Sequence, residues 1–166
     1  RDCRTHRSMT KNPSQLLNPG KFDQADIENL LTSIGFTDWQ AAIARLRAMG
    51  KEETQRDLLS QSLPILLSAL SGAATPDTSL LNLERLHQTV PDQTEFLQYL
   101  ASHPRSIEIL VKLFVGSQFL TEILLRNPGY LDELTHHKRV AEFKSREDFR
   151  ASAEAAIVKE TSTSSQ

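Results

Sequence analysis

Apolar residues, most of them leucine, recur along this chain at intervals of three and four, which is the period of an α-helix. No stretch sustains the alternation of apolar and polar residues that is typical of a half-buried strand. The pattern therefore predicts an all-α fold, with about nine or ten short helices arranged as an orthogonal or stacked bundle.

Capping residues indicate where the first helices begin and end. Asp23 and Asp26 form a capping-box pattern at the start of a helix that Gly35 ends, because glycine readily adopts the left-handed conformation of a helix C-cap. Thr37 and Gln40 predict a second capping box and a second helix, which continues through Met49.

The helices that follow are marked in the same way. Pro64 lies inside a helical pattern over residues 52–70 and is expected to kink that helix or split it in two. Thr75-Pro76-Asp77 and then Asp92 with Glu95 predict two further helix starts. Ser145 and Asp148 predict a last helix that reaches about residue 159.

The densest apolar segment, residues 96–134, contains a pseudo-repeat of 23–24 residues. Phe96 and Phe119 are separated by 23 residues, and Pro104 and Pro128 by 24. Each unit is too small to bury its own apolar stripe, so the repeat implies helices stacked on one another. Four aromatic residues fall on apolar stripes and are expected to be buried packing residues: Trp39, Phe96, Phe119 and Tyr130.

The predicted organisation is a loop or disordered arm over residues 1–22, a single helical domain over 23–160, and a polar tail over 161–166. The chain begins with Arg1 and its last helix continues into a Ser/Thr-rich end. These features lead us to expect a fragment of a longer protein.

Charge and cysteine content exclude several classes of function. The chain of 166 residues has a formal net charge of −2, which gives no electrostatic reason to expect binding to nucleic acid or to an anionic membrane. No apolar run reaches the roughly 18–20 residues that a membrane span needs. The single cysteine, Cys3, cannot form an internal disulfide, so a reducing cytoplasm is the expected location.

No residue of the sequence forms a catalytic or metal-binding pattern. His136 and His137 are adjacent and would point about 100° apart on a helix, while His87 and His103 lack a second ligand at helical spacing. No Gly-x-Ser-x-Gly elbow and no Gly-rich phosphate loop occurs. Structural or solvated roles are therefore expected for the histidines.

One pair of acidic residues resembles a nucleotidyl-transfer site only superficially. Such sites hold Mg²⁺ with two acids that alternate on a strand after a Gly-Ser or Gly-Gly turn. Here Gly116-Ser117 is followed by Asp132 and Glu133, which are adjacent and lie in a helical pattern. We predict no catalytic, cofactor-binding or metal-binding residue in this chain, and a helix–helix turn at Gly116-Ser117.

Four segments, taken in order, resemble the helical region of bacterial glutamine synthetase adenylyltransferases. They are the Gly-Phe-x-Asp helix at 35–49, the Leu-Pro-x-Leu-Leu segment at 63–70, the Pro-Asp-x-x-Leu-x-x-Leu-x-Arg helix at 75–86, and the repeated Phe-Leu and Pro segments at 96–134. Each motif alone is a common helical pattern, and the resemblance depends on their order and spacing over about 100 residues.

This resemblance implies a part of a large cytoplasmic enzyme of nitrogen regulation. Enzymes of this family use ATP and Mg²⁺ to adenylylate a tyrosine of glutamine synthetase and remove the AMP by phosphorolysis, under control of the PII protein and glutamine. The family's catalytic residues, a Gly-Gly or Gly-Ser turn and an Asp-x-Asp pair, belong to nucleotidyltransferase domains and match no position here.

Two interpretations follow. In the first, this chain is a non-catalytic helical region that supports a following nucleotidyltransferase domain, either the first or the second of the enzyme, and is inactive alone. In the second, it is a free-standing helical-repeat adaptor for protein interactions, which the pseudo-repeat and the lack of a catalytic pattern both favour.

Overall fold

The computed structural model describes residues 11–136 of the chain. This part contains no strand, which confirms the all-α prediction. After a 3₁₀ turn at Pro13–Gln15, its helices are α1 (Gln24–Ile34), α2 (Trp39–Met49), α3 (Glu53–Ser71), α4 (Pro76–Thr89), α5 (Gln93–Ser102), α6 (Pro104–Gly116), α7 (Gln118–Arg126) and α8 (Tyr130–His136). The predicted last helix, near residues 145–159, lies outside the described residues, so the helix count stays a prediction.

The described helices belong to two compact units. The 3₁₀ turn and α1 to α7 lie in the first, which ends at Pro128, and α8 lies in the second, which begins at Gly129. The first unit is organised around α3 and α4. Helix α3 packs against α5, α6 and the 3₁₀ turn, and α4 packs against α2, α6 and α7.

The core of the first unit is built from apolar residues at helical spacing, and leucine is the most frequent of them. Helix α6 illustrates the pattern, because its buried apolar residues Ile107, Leu110, Val111 and Phe114 follow the i, i+3, i+4, i+7 spacing of one helix face. Burying one such side chain contributes about 1.5–3 kcal/mol. The leucines of α3 and α4 that are almost fully buried are Leu59, Leu63, Leu66, Leu70, Leu80, Leu83 and Leu86.

Pro64 does not split α3, which continues from Glu53 to Ser71. The proline has no N–H to donate to the carbonyl of Ser60, so one bond of the helical ladder is missing. Nearby, the buried hydroxyl of Ser62 donates to the carbonyl oxygen of Leu59 at 3.0 Å. The tertiary packing of Leu63 and Leu66 on either side of the proline favours a single continuous helix.

Residues 11–22, which belong to the loop or disordered arm expected over residues 1–22, form a 3₁₀ turn and a loop that contribute two leucines to the core. Asn12 caps the 3₁₀ turn by accepting a bond from the N–H of Ser14 at 3.0 Å, and Leu16 and Leu17 are buried in the core. The turn packs on α3. Residues 1–10 lie outside the described part of the chain.

The first predicted helix ends are confirmed. Asp23 and Asp26 form a complete capping box at α1, and Gly35 ends that helix with a φ of 112°, which is the left-handed conformation. The Gly116-Ser117 turn is also as predicted, since Ser117 accepts a hydrogen bond from the N–H of Leu120 and caps α7.

The capping box predicted at Thr37 and Gln40 is wrong. Asp38 caps α2 by accepting a bond from the N–H of Ala41 at 2.9 Å, one residue later than predicted. Thr37 is free to make a different contact, described below. Gly50 follows α2 with an ordinary φ of −106°, and a Cβ at this position would lie 3.2 Å from the Cα of Arg56. Close approach of α3, rather than a left-handed backbone, therefore explains this glycine.

The burial expected for Phe119 is wrong. Phe96 is 5% exposed, whereas Phe119 at the corresponding position of the pseudo-repeat is 55% exposed. The buried face of α7 consists of Thr121, Leu124 and Leu125. Phe119 lies about 200° around the helix from Thr121, at roughly 100° per residue, so it points away from the core. The equivalence of the two repeat units is not confirmed.

Candidate functional site

Two of the motifs that carry the family resemblance meet in the structure. Asp77, in the first turn of α4, receives three hydrogen bonds from the turn between α1 and α2. Its Oδ2 accepts from the N–H of Thr37 at 3.0 Å and from the Thr37 hydroxyl at 2.9 Å, and its Oδ1 accepts from the N–H of Asp38 at 3.1 Å. We call this contact the Asp77 clasp.

The charge of Asp77 is stabilised by these bonds. Partial burial of the carboxylate would raise its pKa, but the bonds from Thr37 and Asp38 together outweigh that effect and lower the pKa below its ordinary value. A helix N-terminus also favours a negative charge. Asp77 therefore acts as an ionised acceptor that joins α4 to the preceding helices.

The residues next to the clasp complete the joint. The left-handed Gly35 lets the chain reverse at the end of α1, and the N–H of Phe36 donates to the carbonyl of Leu31 at 3.2 Å. Phe36 is buried, and a Cβ at Gly35 would lie 3.7 Å from the ring of Pro76. The sequence predicted the glycine cap and the N-terminal acid separately, but gave no signal that they touch.

Helix α4 also carries two buried polar side chains with unpaired atoms. His87 is 3% exposed, and its ring lies 6.1 Å from that of Phe96, centroid to centroid, with a tilt of 54°. Neither the Nε2 of His87 nor the Nδ2 of Asn82 has a hydrogen-bond partner within the described part of the chain. Burial lowers the pKa of His87, because the charged imidazolium is poorly solvated there. Among the described residues no carboxylate or second ligand pairs with this ring.

Two further histidines, His103 and His136, lie within the described residues. His103 is exposed between α5 and α6, and its ring stacks on that of Tyr99 with centroids 4.5 Å apart. His136 is the last residue of α8, and His137 lies outside the described residues. Within residues 11–136, no three His, Cys, Asp or Glu side chains are grouped so that they could hold a metal ion.

The residues that superficially resemble a nucleotidyl-transfer site lie in helices and in a turn between helices. Gly116 ends α6 and Ser117 caps α7, while Asp132 and Glu133 occupy the first turn of α8. A pair of alternating acids on a strand, which this chemistry requires, is absent from the described residues. None of the described helices is both long and apolar enough to cross a membrane.

A surface feature that the sequence did not reveal is a group of exposed apolar side chains near the contact between α4 and α7. Leu81, Val115 and Phe119 are the large apolar residues most exposed among those described. Arg85 of α4 pairs with Glu122 of α7, Nη1 to Oε1, at 3.3 Å. Leu81 precedes Arg85 by one turn and Phe119 precedes Glu122 by three residues, so both share a helix face with the ion pair. Val115 belongs to α6, and we call Leu81 and Phe119 the α4–α7 surface.

Comparison with known proteins finds several bacterial relatives that share one name. The chain is 37% identical over 94 residues to a bifunctional glutamine synthetase adenylyltransferase/adenylyl-removing enzyme of Thioalkalivibrio sulfidiphilus, covering 57% of this chain and 9% of the relative. It is 30% identical over 132 residues to the enzyme of the same name in Leifsonia xyli, covering 79% of this chain and 12% of the relative. The chain is also 30% identical over 112 residues to the corresponding enzyme of Nitrosococcus oceani, covering 63% of this chain and 12% of the relative.

The chain thus spans only about a tenth of the length of these relatives. No family model matches the chain. No solved structure matches it either. The resemblance predicted from the motifs is confirmed: this chain is similar to a helical segment of the bifunctional glutamine synthetase adenylyltransferase/adenylyl-removing enzymes of bacteria.

Proposed function

We propose that this chain is a non-catalytic helical region of a glutamine synthetase adenylyltransferase, and that it supports a nucleotidyltransferase domain of that enzyme. The observation that carries the proposal is the Asp77 clasp. The acid of the Pro-Asp motif is used to join helices, through three bonds to Thr37 and Asp38, and is unavailable for chemistry.

In this proposal the ATP, Mg²⁺ and AMP transfer of the parent enzyme belong to other parts of it. The partners are glutamine synthetase and, in regulation, the PII protein, and the location is the cytoplasm. The names of the relatives support glutamine synthetase as the target, because each is described as adding an adenylyl group to that enzyme or removing it.

The first experiment is an AMP-transfer assay with the 166-residue chain. It is incubated with radiolabelled ATP, Mg²⁺ and purified glutamine synthetase, beside a complete adenylyltransferase as the positive control. We expect labelled glutamine synthetase only with the complete enzyme. Incorporation of AMP by the 166-residue chain alone would refute the non-catalytic role.

The alternative function is a free-standing adaptor that binds other proteins. The α4–α7 surface favours it, because Phe119 exposes more than half of its area to solvent. In the support role, the catalytic domain of the parent enzyme makes the contact with glutamine synthetase. We therefore expect no co-sedimentation of this chain alone with purified glutamine synthetase. Binding that Phe119→Ser abolishes, with Asn29→Ser on the exposed face of α1 as the control, would favour the adaptor.

A further inference from the structure

A cavity of about 350 Å³ lies between the N-terminal segment and the turn that connects α2 to α3. Its volume is in the range of small-molecule sites. Two kinds of residue line it. The apolar part includes Leu16, Leu17 and Phe22, and the polar part includes the cationic side chains Arg47, Lys51 and Arg56.

The charges around this cavity are of one sign. No Asp or Glu lines it, and three cations do. The three ion pairs of the described residues involve Lys11, Arg45 and Arg85 as the cations, so Arg47, Lys51 and Arg56 have no carboxylate of that part of the chain within 4.0 Å. Three cations that share one concave site raise its potential and attract an anion.

The lining is held in place by backbone contacts. The guanidinium of Arg56 donates from Nη2 to the carbonyl of Lys51 at 3.3 Å, which leaves its other N–H groups available to a ligand. Gly50 allows the α2–α3 turn to approach the backbone of Arg56 closely. Leu16 and Leu17, which also line the cavity, are anchored in the core. Both the cationic and the apolar parts of the lining are therefore attached to the folded core.

A fourth cation lies close by but does not contribute a free charge. Lys11 is positioned over the ring of Phe22, with its Nζ 5.4 Å from the ring centroid, and it pairs with the carboxylate of Asp26. Its charge is thereby compensated. The ring of Phe22 is held by this contact and contributes an aromatic part to the lining.

We propose that this cavity binds a phosphate monoester whose organic part is small and apolar. Arg47, Lys51 and Arg56 hold the phosphate, since guanidinium groups match the geometry of phosphate oxygens and lysine adds a point charge. The half-buried ring of Phe22 contacts the organic part, and the buried Leu16 and Leu17 lie in the lining beside it. This binding is separate from the AMP transfer discussed above and does not depend on it.

The test is a calorimetric titration of the 166-residue chain with three probes at low ionic strength: phenyl phosphate, inorganic phosphate and benzoate. We expect phenyl phosphate to bind more tightly than the other two, because inorganic phosphate lacks the apolar ring and the carboxylate of benzoate offers the three cations less charge and one oxygen fewer. Failure of phenyl phosphate to bind would overturn the proposal. Equal binding of inorganic phosphate would refute the apolar contact, and equal binding of benzoate would refute the selection of phosphate.

Variants locate the binding on the molecule. Arg47→Ala and Arg56→Gln are each expected to weaken phenyl phosphate binding about tenfold or more, the effect of losing one charged hydrogen bond. Arg105→Ala is the matched control, since Arg105 is an exposed cation of α6 that does not line the cavity. Circular dichroism verifies that each variant is folded. A loss with Arg105→Ala equal to that with Arg47→Ala would show non-specific attraction and refute the site.

Discussion

The Asp77 clasp makes a prediction about stability that can be worked from its geometry. The substitution Asp77→Ala removes an acceptor of three hydrogen bonds and leaves two backbone N–H groups, those of Thr37 and Asp38, without their partner. It also removes a negative charge from the N-terminal turn of α4. All of these changes destabilise the joint between α4 and the α1–α2 turn.

The size of the effect follows from the bonds and their exposure. A hydrogen bond to a charged group contributes about 1.5–3 kcal/mol when it is well shielded. Asp77 is only partly buried, so water can replace much of the hydrogen bonding that the substitution removes. The expected loss of stability is therefore smaller than the summed contributions of three shielded bonds. We expect Asp77→Ala to lower the free energy of unfolding by about 2 kcal/mol, and Asp77→Asn, which keeps one acceptor oxygen, by about 1 kcal/mol.

Urea denaturation at pH 7, followed by circular dichroism, measures these values. Asp57→Ala is the control, because Asp57 is an exposed acid of α3, and it should change stability by less than about 0.5 kcal/mol. A double-mutant cycle with Thr37→Ala tests the contact itself. Once Asp77 is replaced, Thr37→Ala should cost much less than in the parent chain, since the shared bond is gone. Strictly additive effects would refute the clasp.

The clasp also predicts a dependence on pH. The pKa of Asp77 is lower in the folded chain than the ordinary value near 3.8. The unfolded chain therefore binds the proton first as the pH falls, and the contribution of Asp77, present in full above that value, is lost as the pH falls through the folded pKa. The difference in stability between the parent chain and Asp77→Asn should shrink below pH 4. A constant difference from pH 7 to pH 2.5 would contradict this assignment.

Three further predictions concern single side chains. Phe96→Ala should cost about 3–5 kcal/mol in a urea melt, whereas Phe119→Ala should change stability by less than about 1 kcal/mol, because only the first ring is buried. Stability should fall as the pH drops below about 6.5, since the unfolded chain then protonates His87 while the folded chain does not; His87→Leu should flatten this slope. Gly35→Ala should cost about 1–2 kcal/mol by differential scanning calorimetry, because its φ of 112° strains any side chain.

The sequence predicted those features whose causes are local. The capping box of α1 involves Asp23 and Asp26, three residues apart, and the left-handed cap at Gly35 depends on that residue alone. The sequence also predicted that the elements are helices, because an apolar stripe such as Ile107, Leu110 and Phe114 lies within a single element. Interactions within one turn of a helix can be predicted because the residues that make them are close together in the sequence.

Contacts between residues that are far apart in the sequence could not be predicted in this way. The hydroxyl of Thr37 and the carboxylate of Asp77 are 40 positions apart, and the capping pattern that Thr37 matched locally is one that the structure does not use. Phe96 and Phe119 share a local Phe-Leu sequence but differ in burial. In α5, Phe96 is within 40° of Leu100 around the helix at roughly 100° per residue, whereas Phe119 lies far from the buried stripe of α7. Which face of a short helix is covered depends on its neighbours, which the sequence of that helix does not specify.

The Pro-Asp-x-x-Leu-x-x-Leu-x-Arg motif can now be explained residue by residue. Pro76 occupies the first turn of α4, where it needs no N–H partner, and Asp77 accepts the bonds of the clasp. Leu80 and Leu83 are buried in the core, and Arg85 pairs with Glu122 of α7. Each residue that defines the motif therefore begins α4, fills the core or attaches α4 to a neighbouring helix. Because structural contacts within this chain account for all five residues, the motif identifies an arrangement of helices.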